Sequence, residues 1–230
     1  MSADPIARLR SADGDLPHGL RMDLLALGPA LVPRLIDLLA QGERDWASLH
    51  AVDLLIDLQA TEAIVPMLQV YADELGTLDD TDIDEMRSVR IMVRLPELGH
   101  AVLEPALAFI ADHANDENAA YAASKVLTQL GIKDERIFDA VRRVFEVDEV
   151  LGAGMLASYG DERGAGVIER ALGMFEPDFS SEWSKACVGD LLLAHRELGG
   201  VLPRELHARV DGWLARWEAR QAFVTDERSN

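Results

Sequence analysis

The chain has 230 residues, 49% of them hydrophobic, which is enough apolar material for a substantial core. Its 22 basic and 41 acidic residues give a net charge of −19, which opposes phosphate backbones and anionic membrane surfaces. Nucleic acid and membrane are therefore not expected as partners, and a single cysteine, Cys187, allows neither an intramolecular disulfide nor a Cys-based zinc site.

No run of 18 apolar residues exists, so no membrane-spanning helix is expected. The opening "MSADPIARLRSADGDL" lacks the apolar region of a signal peptide, and a cytoplasmic protein is expected. Residues 1–15 are expected to be a flexible N-terminus. From there the sequence punctuates itself. Helix-like segments end in "LLALG", "LLIDLQ", "RLPELG", "LTQLG", "LASYG" and "AHRELGG", with breaks near Gly28, Gln59, Gly99, Gly131, Gly160 and Gly199. Glycine suits a helix C-terminus, where a left-handed residue closes the last turn. Three of the blocks that follow share a pattern: "ALVPRLIDLL", "AIVPMLQVY" and "VLEPALAFI". Each places Pro33, Pro66 or Pro105 early in the next helix, where a missing N–H costs little. "VIERALGMF" keeps the pattern without the proline.

In chain order this predicts six helix pairs: 16–27 with 30–40, 45–58 with 62–75, 82–95 with 101–114, 117–130 with 135–146, 148–159 with 162–175, and 182–198 with 203–222. Thr61, Asp116, Asp134, Asp161 and Ser181 stand where N-caps are wanted. Ile137, Val141 and Val144 show the expected apolar spacing, as do Leu206, Val210, Leu214 and Trp217. Neither strand alternation nor Asn-Gly hairpin turns occur. The expectation is one all-α domain over 16–222, with 223–230 flexible.

The periodic Leu-Gly break followed by Ala/Val-Leu/Ile-x-Pro-x-Leu resembles the HEAT-repeat family, in particular its short bacterial form, the PBS-lyase type of repeat. "LASYGDERGAGVIERAL" is similar to that family's Leu-Gly-Asp-x-Arg-Ala pattern. "DWASLHAVDLLIDLQATEAIVPML" resembles the helical region of bacterial proteins that carry a Cys-rich SEC-C zinc tail, and one cysteine cannot supply that tail. The resemblance implies a right-handed α-solenoid of about six HEAT-like antiparallel helix pairs. It also implies protein binding as the function, and it carries over no catalytic residue. One helix pair cannot bury its apolar face alone, whereas stacked pairs bury a continuous core and expose an extended surface.

Charge is unevenly spread. Between Arg44 and Arg87 there is no Lys or Arg, and the window 45–86 holds eleven acids. Its densest part is "DELGTLDDTDIDE", Asp73 to Glu85. Asp80, Asp82 and Asp84 alternate as in a calcium loop, but the sixth position would be Glu85 instead of Gly and the twelfth Ile91 instead of an acid. Carboxylates at a helix start also suit the macrodipole. Trp46, His50, Asp53 and Asp57 fall within a narrow stripe at about 100° per residue, which places an aromatic, a histidine and two acids on one polar edge. That stripe could anchor a partner's Arg or Lys; alternatively Trp46 packs on a neighbouring pair and His50 caps the contact. Candidate partner-binding residues are therefore Trp46, His50, Asp53, Asp57, Asp73, Glu74, Asp79, Asp80, Asp82 and Asp84. Arg87, Arg90 and Arg94 form a stripe read as local charge balance, with Asp84 and Arg87 as an i,i+3 pair.

The six histidines show no i,i+4 pair and no HExxH, and neither a phosphate loop nor a GxSxG elbow occurs, so no metal, cofactor or catalytic residue is expected. Trp183, Trp213 and Trp217 are expected to seal the end of the stack, with Trp213, Trp217 and Phe223 as a conceivable apolar patch in a monomer or weak homodimer. The expected function is a non-enzymatic protein-interaction scaffold for a basic protein partner. One alternative is an immunity protein neutralising a basic toxin or nuclease. The other is an enzyme of a helical-repeat family acting on DNA bases or chromophores, which the composition disfavours. With 19 Arg and 3 Lys, a high-GC bacterial source is expected.

Overall fold

The structure, a computed structural model, describes residues 4–41, 45–75 and 82–227; at 82–86 and 221–227 it describes the backbone path only. Every regular element among the described residues is helical. The chain falls into two compact units, Met1–Ala140 and Val141–Asn230.

The first unit opens with α1 (Pro5–Arg10), so the N-terminal segment expected to be flexible carries a helix. Asp4 caps it by accepting from the Ile6 N–H, and Leu9 is completely buried. Then come α2 (His18–Leu25), α3 (Val32–Ala40), α4 (Trp46–Asp57), α5 (Ile64–Leu75), α6 (Asp82–Arg94), α7 (Leu103–Asp112) and α8 (Glu117–Leu127). The unit boundary lies within α9 (Glu135–Val147). The second unit continues with α10 (Glu149–Tyr159), α11 (Arg163–Met174), α12 (Glu182–Glu197) and α13 (Arg204–Glu227). The last helix runs five residues past the expected end of the domain.

All six breaks named from the sequence have positive φ: Gly28 at 60°, Gln59 at 54°, Gly99 at 61°, Gly131 at 67°, Gly160 at 67° and Gly199 at 74°. Gln59 alone among them bears a side chain, which costs about 1 kcal/mol in this region. Two hydrogen bonds hold it there: the Ala60 N–H donates to the Leu55 carbonyl at 3.0 Å, and Gln59 Nε2 donates to the Ile56 carbonyl at 3.1 Å. At or around each of the first three breaks the chain makes 3-10 turns (Gly28–Leu31, Thr61–Ala63 and Leu95–Val102) before the next α-helix begins. Pro33, Pro66 and Pro105 then sit within the first three residues of α3, α5 and α7, where no intrahelical N–H is lost.

Asp45, Asp116, Asp148 and Ser181 cap α4, α8, α10 and α12 with their side chains. Thr61 makes no cap of its own, because the turn there starts at Ala60. Asp134 and Asp161 accept from the N–H groups of Arg136 and Arg163, two residues on.

Within the first unit, α3 packs on α4, α5 on α6, and α7 on α8. The first helices touch in series (α2–α4–α6–α8), and so do the second (α3–α5–α7). The core is aliphatic: Leu35, Leu38, Leu54, Leu55, Ile64 and Met67 are buried. In the second unit α10 packs on α11 and α12, and α11 on α12. Trp213 of α13 lies 6.0 Å from Phe175, and Trp217 lies 5.2 Å from Phe179 (ring centroids). Both tryptophans are buried as expected, but Trp183 is 73% exposed and takes no part in that cluster. It occupies the second position of α12, ahead of the first buried residue of that helix, Ser184.

Candidate functional site

The stripe on α4 is the place to build from. Asp45 opens the helix by accepting from the Ser48 N–H at 2.8 Å. From that start, the 3.6-residue repeat brings His50, Asp53 and Asp57 to the side facing α2 and α6. The sequence placed these residues on a polar edge. The structure buries them instead, leaving His50 and Asp53 only 6% and 8% exposed.

Burial is tolerated because the stripe meets a complementary one. Asp53 accepts from Arg90 Nη1 at 3.0 Å and from Arg94 Nη1 at 2.7 Å. Asp57 accepts from Arg94 Nη2 at 3.2 Å and from Arg21 Nη2 of α2 at 2.5 Å. Glu97 lies 2.6 Å from Arg94 Nε. Burial opposes the Arg94 charge, but Glu97, Asp53 and Asp57 outweigh it and raise its pKa above the usual value. Two acids at i,i+4 on α4 therefore face two arginines at i,i+4 on α6.

A second pair lies deeper. Arg87 and Glu74 form an ion pair with side chains only 4% and 7% exposed. Glu74 also accepts from the Ser88 hydroxyl, and Arg87 Nη1 donates to Ser48 Oγ at 3.2 Å. The arginine stripe thus balances acids on other helices, Arg87 pairing with Glu74, while the expected local partner of Arg87 is Asp84. The Asp84 side chain falls outside the described residues, as does that of Asp82, and Asp79 and Asp80 lie outside them altogether. Asp73 is exposed and accepts from Gln69 Nε2 at 2.8 Å.

Trp46 is half-buried and stacks with His50, ring centroids 6.3 Å apart at 26°. Burial pushes the His50 imidazole below its ordinary value, against the opposing pull of the Gly14 backbone carbonyl and the Asp53 and Asp15 carboxylates. Its Nε2 is buried without a hydrogen-bond partner.

Of the ten candidate residues, the structure brings Trp46, His50, Asp53 and Asp57 together, with Glu74 nearby through Arg87 and Ser48. Sequence reading missed Arg21, Ser48, Ser88 and Glu97 as members of the network. The available signal was the matched spacing of Asp53/Asp57 and Arg90/Arg94. Chemically the cluster is an ionic seam between helices: its carboxylates are already answered by guanidinium groups.

Among the described residues, no group of three or more His, Cys, Asp or Glu side chains is placed to hold a metal ion, and no helix is long and apolar enough to cross a membrane. No family model matches the chain, and neither a curated protein nor a solved structure matches it.

Proposed function

We propose that the protein is a non-enzymatic protein-interaction module: an α-solenoid of about six HEAT-like helix pairs that engages a basic protein partner through an acidic surface. Packing in the first unit supports the repeat reading. The helices α2, α4, α6 and α8 touch in series, and so do α3, α5 and α7, as first and second helices do in stacked repeats.

The observation that carries the partner reading is how much of the negative charge lies at the surface of the first unit. Met1–Ala140 holds 25 acidic and 11 basic residues, a net −14 of the total −19. At least seven of its cations, Arg8, Arg21, Arg34, Arg87, Arg90, Arg94 and Arg136, are engaged by carboxylates of the same unit. Asp37, Glu62, Asp73 and Asp112, on or just before the second helices of three pairs, are exposed. A basic partner would meet these instead of the acids of the α4 stripe. Such a surface speeds encounter and selects against acidic competitors.

The test is a tagged pull-down from native lysate at about 50 mM and about 500 mM salt. A variant carrying Asp37→Asn, Glu62→Gln, Asp73→Asn and Asp112→Asn runs beside the wild type. A basic protein held at low salt, released at high salt and lost with the variant is the expected result. A partner retained by the variant at both salts would refute the electrostatic reading.

A further inference from the structure

The N-terminal helix docks on the first unit through a buried leucine and polar contacts to α2 and α3. Leu9 is fully buried. Arg8 Nη2 lies 2.7 Å from Asp23 of α2, Arg34 of α3 pairs with Asp4, and Arg10 Nη2 donates to Gln41 Oε1 at 2.6 Å. The connection that follows, residues 11–17, passes over α4, where His50 meets the backbone carbonyl of Gly14. Gly14 turns the chain there with φ of 72°.

The His50 ring therefore sits beside the connection and on Trp46, near the Gly14 carbonyl, with Nε2 buried and unpartnered. A neutral imidazole fits this setting. A second proton would put a donor and a positive charge at Nε2, where no acceptor stands.

The charged groups around the ring do not offer one. Asp15, from the connection, and Asp53, from α4, attract a proton, while Arg90 of α6 repels it. Asp53 already accepts from both Arg90 and Arg94. On the other helices packed against α4, Arg21 and Asp23 of α2 are engaged by Asp57 and Arg8, and Arg34 of α3 by Asp4.

We propose that α1 and residues 11–17 form an acid-releasable strap over α4, with His50 as its catch. Closed, the ring is neutral and buried. Opened, it is exposed to water and takes up a proton at its ordinary value of about 6.5. Because the closed ring binds its proton less readily, the strap's stability is fully present above pH about 6.5 and is lost as pH falls below it. From pH 7.5 to 5.0 the opening equilibrium gains up to about 30-fold, approaching tenfold per pH unit below 6.5. The Asp4 carboxyl, held below the usual range by Arg34, stays ionised through this interval, so the α1 ion pair to Asp4 does not titrate with it.

The experiment is hydrogen exchange of the α1 amides at pH 7.5 and 5.0, corrected for intrinsic rates, on the full chain. The wild type should lose about 10- to 30-fold protection in residues 8–12 at pH 5.0, with α8 unchanged. His50→Gln, neutral at both pH values, should change less than about twofold, and His18→Gln should behave as wild type. Equal wild-type protection at both pH values would overturn the proposal, as would the same loss in His50→Gln. If His50→Gln does not fold, the ring's own titration by NMR decides: a midpoint below 6.5 with concurrent loss of α1 protection upholds the catch, and a midpoint at or above 6.5 sinks it.

Discussion

Glu74 divides the two uses its sequence suggests. As a partner-binding acid it would face solvent, and its loss would weaken binding alone. In the structure it answers Arg87 within the unit, both side chains nearly inaccessible. Glu74→Gln keeps the shape and can still accept from Ser88, but it removes the charge opposite a buried guanidinium. That guanidinium also donates to Ser48 Oγ at 3.2 Å, a neutral and long contact. Breaking a buried pair from one side costs about 3–5 kcal/mol, because the other charge stays desolvated. Against a whole-domain stability of about 5–15 kcal/mol, this is a large share. For a chain of this size it lowers Tm by roughly 10 °C.

The companion variant tests the cause. Glu74→Leu with Arg87→Met removes both charges and fills similar volume. Such replacements are often neutral or stabilising, so the double variant should lie within about 1 kcal/mol of wild type. Urea denaturation followed by circular dichroism at 222 nm reads both. If Glu74→Gln loses less than about 1 kcal/mol, or the double variant is no better than the single, the reasoning fails.

Two glycines of α10, two residues apart, make an internally controlled pair. A Cβ at Gly152 would stand 2.2 Å from Phe145 Cα and 2.5 Å from its nitrogen, whereas one at Gly154 meets nothing within 4 Å. Gly152→Ala should therefore cost about 2 kcal/mol or more, since backbone on backbone cannot yield by a rotamer change, while Gly154→Ala should gain about 0.5–1 kcal/mol of helix propensity; equal effects in the same urea assay would contradict the close approach of α9 and α10. Burial raises the Tyr71 phenol well above its ordinary value, so its neutral form stabilises the fold below pH about 10 and that contribution is lost as the pH rises further. Absorbance at 295 nm should show a late-ionising tyrosine that Tyr71→Phe removes, and an ordinary titration of all three tyrosines would refute the burial.

The helices and the breaks between them were legible because their signals are local. A Leu-Gly break, a proline a few residues on and an Asp or Ser cap each act within one turn, and all six break positions have positive φ. What the sequence misassigned was side-chain destination. A 3.6-residue wheel puts Asp53 on a polar edge of α4, and wheels do not say what lies opposite. Arg90 and Arg94 stand 37 and 41 residues further along, and only the packing of α4 on α6 brings them to Asp53. The N-terminal segment was misjudged for a related reason. Six residues make too short a helix to announce itself, and α1 persists because Leu9 is buried and Arg8 and Asp4 find partners on α2 and α3.

The same pairing changes what the acidic window means. A stretch without a cation reads as an exposed negative patch, yet Asp53, Asp57 and Glu74 of that window are neutralised by arginines that follow it in sequence. A buried carboxylate with an arginine on each side is a poor lure for a further cation, because both its desolvation and its hydrogen bonds are already matched. The long-range field must come from acids that keep their hydration, and those sit on other elements: Asp37 on α3, Asp73 on α5 and Asp112 on α7. Substituting Asp53 would therefore disturb folding before binding, and substituting Asp37 the reverse. A charge variant that lowers partner affinity while leaving the urea midpoint unchanged is thus the signature to seek on the second helices, not on α4.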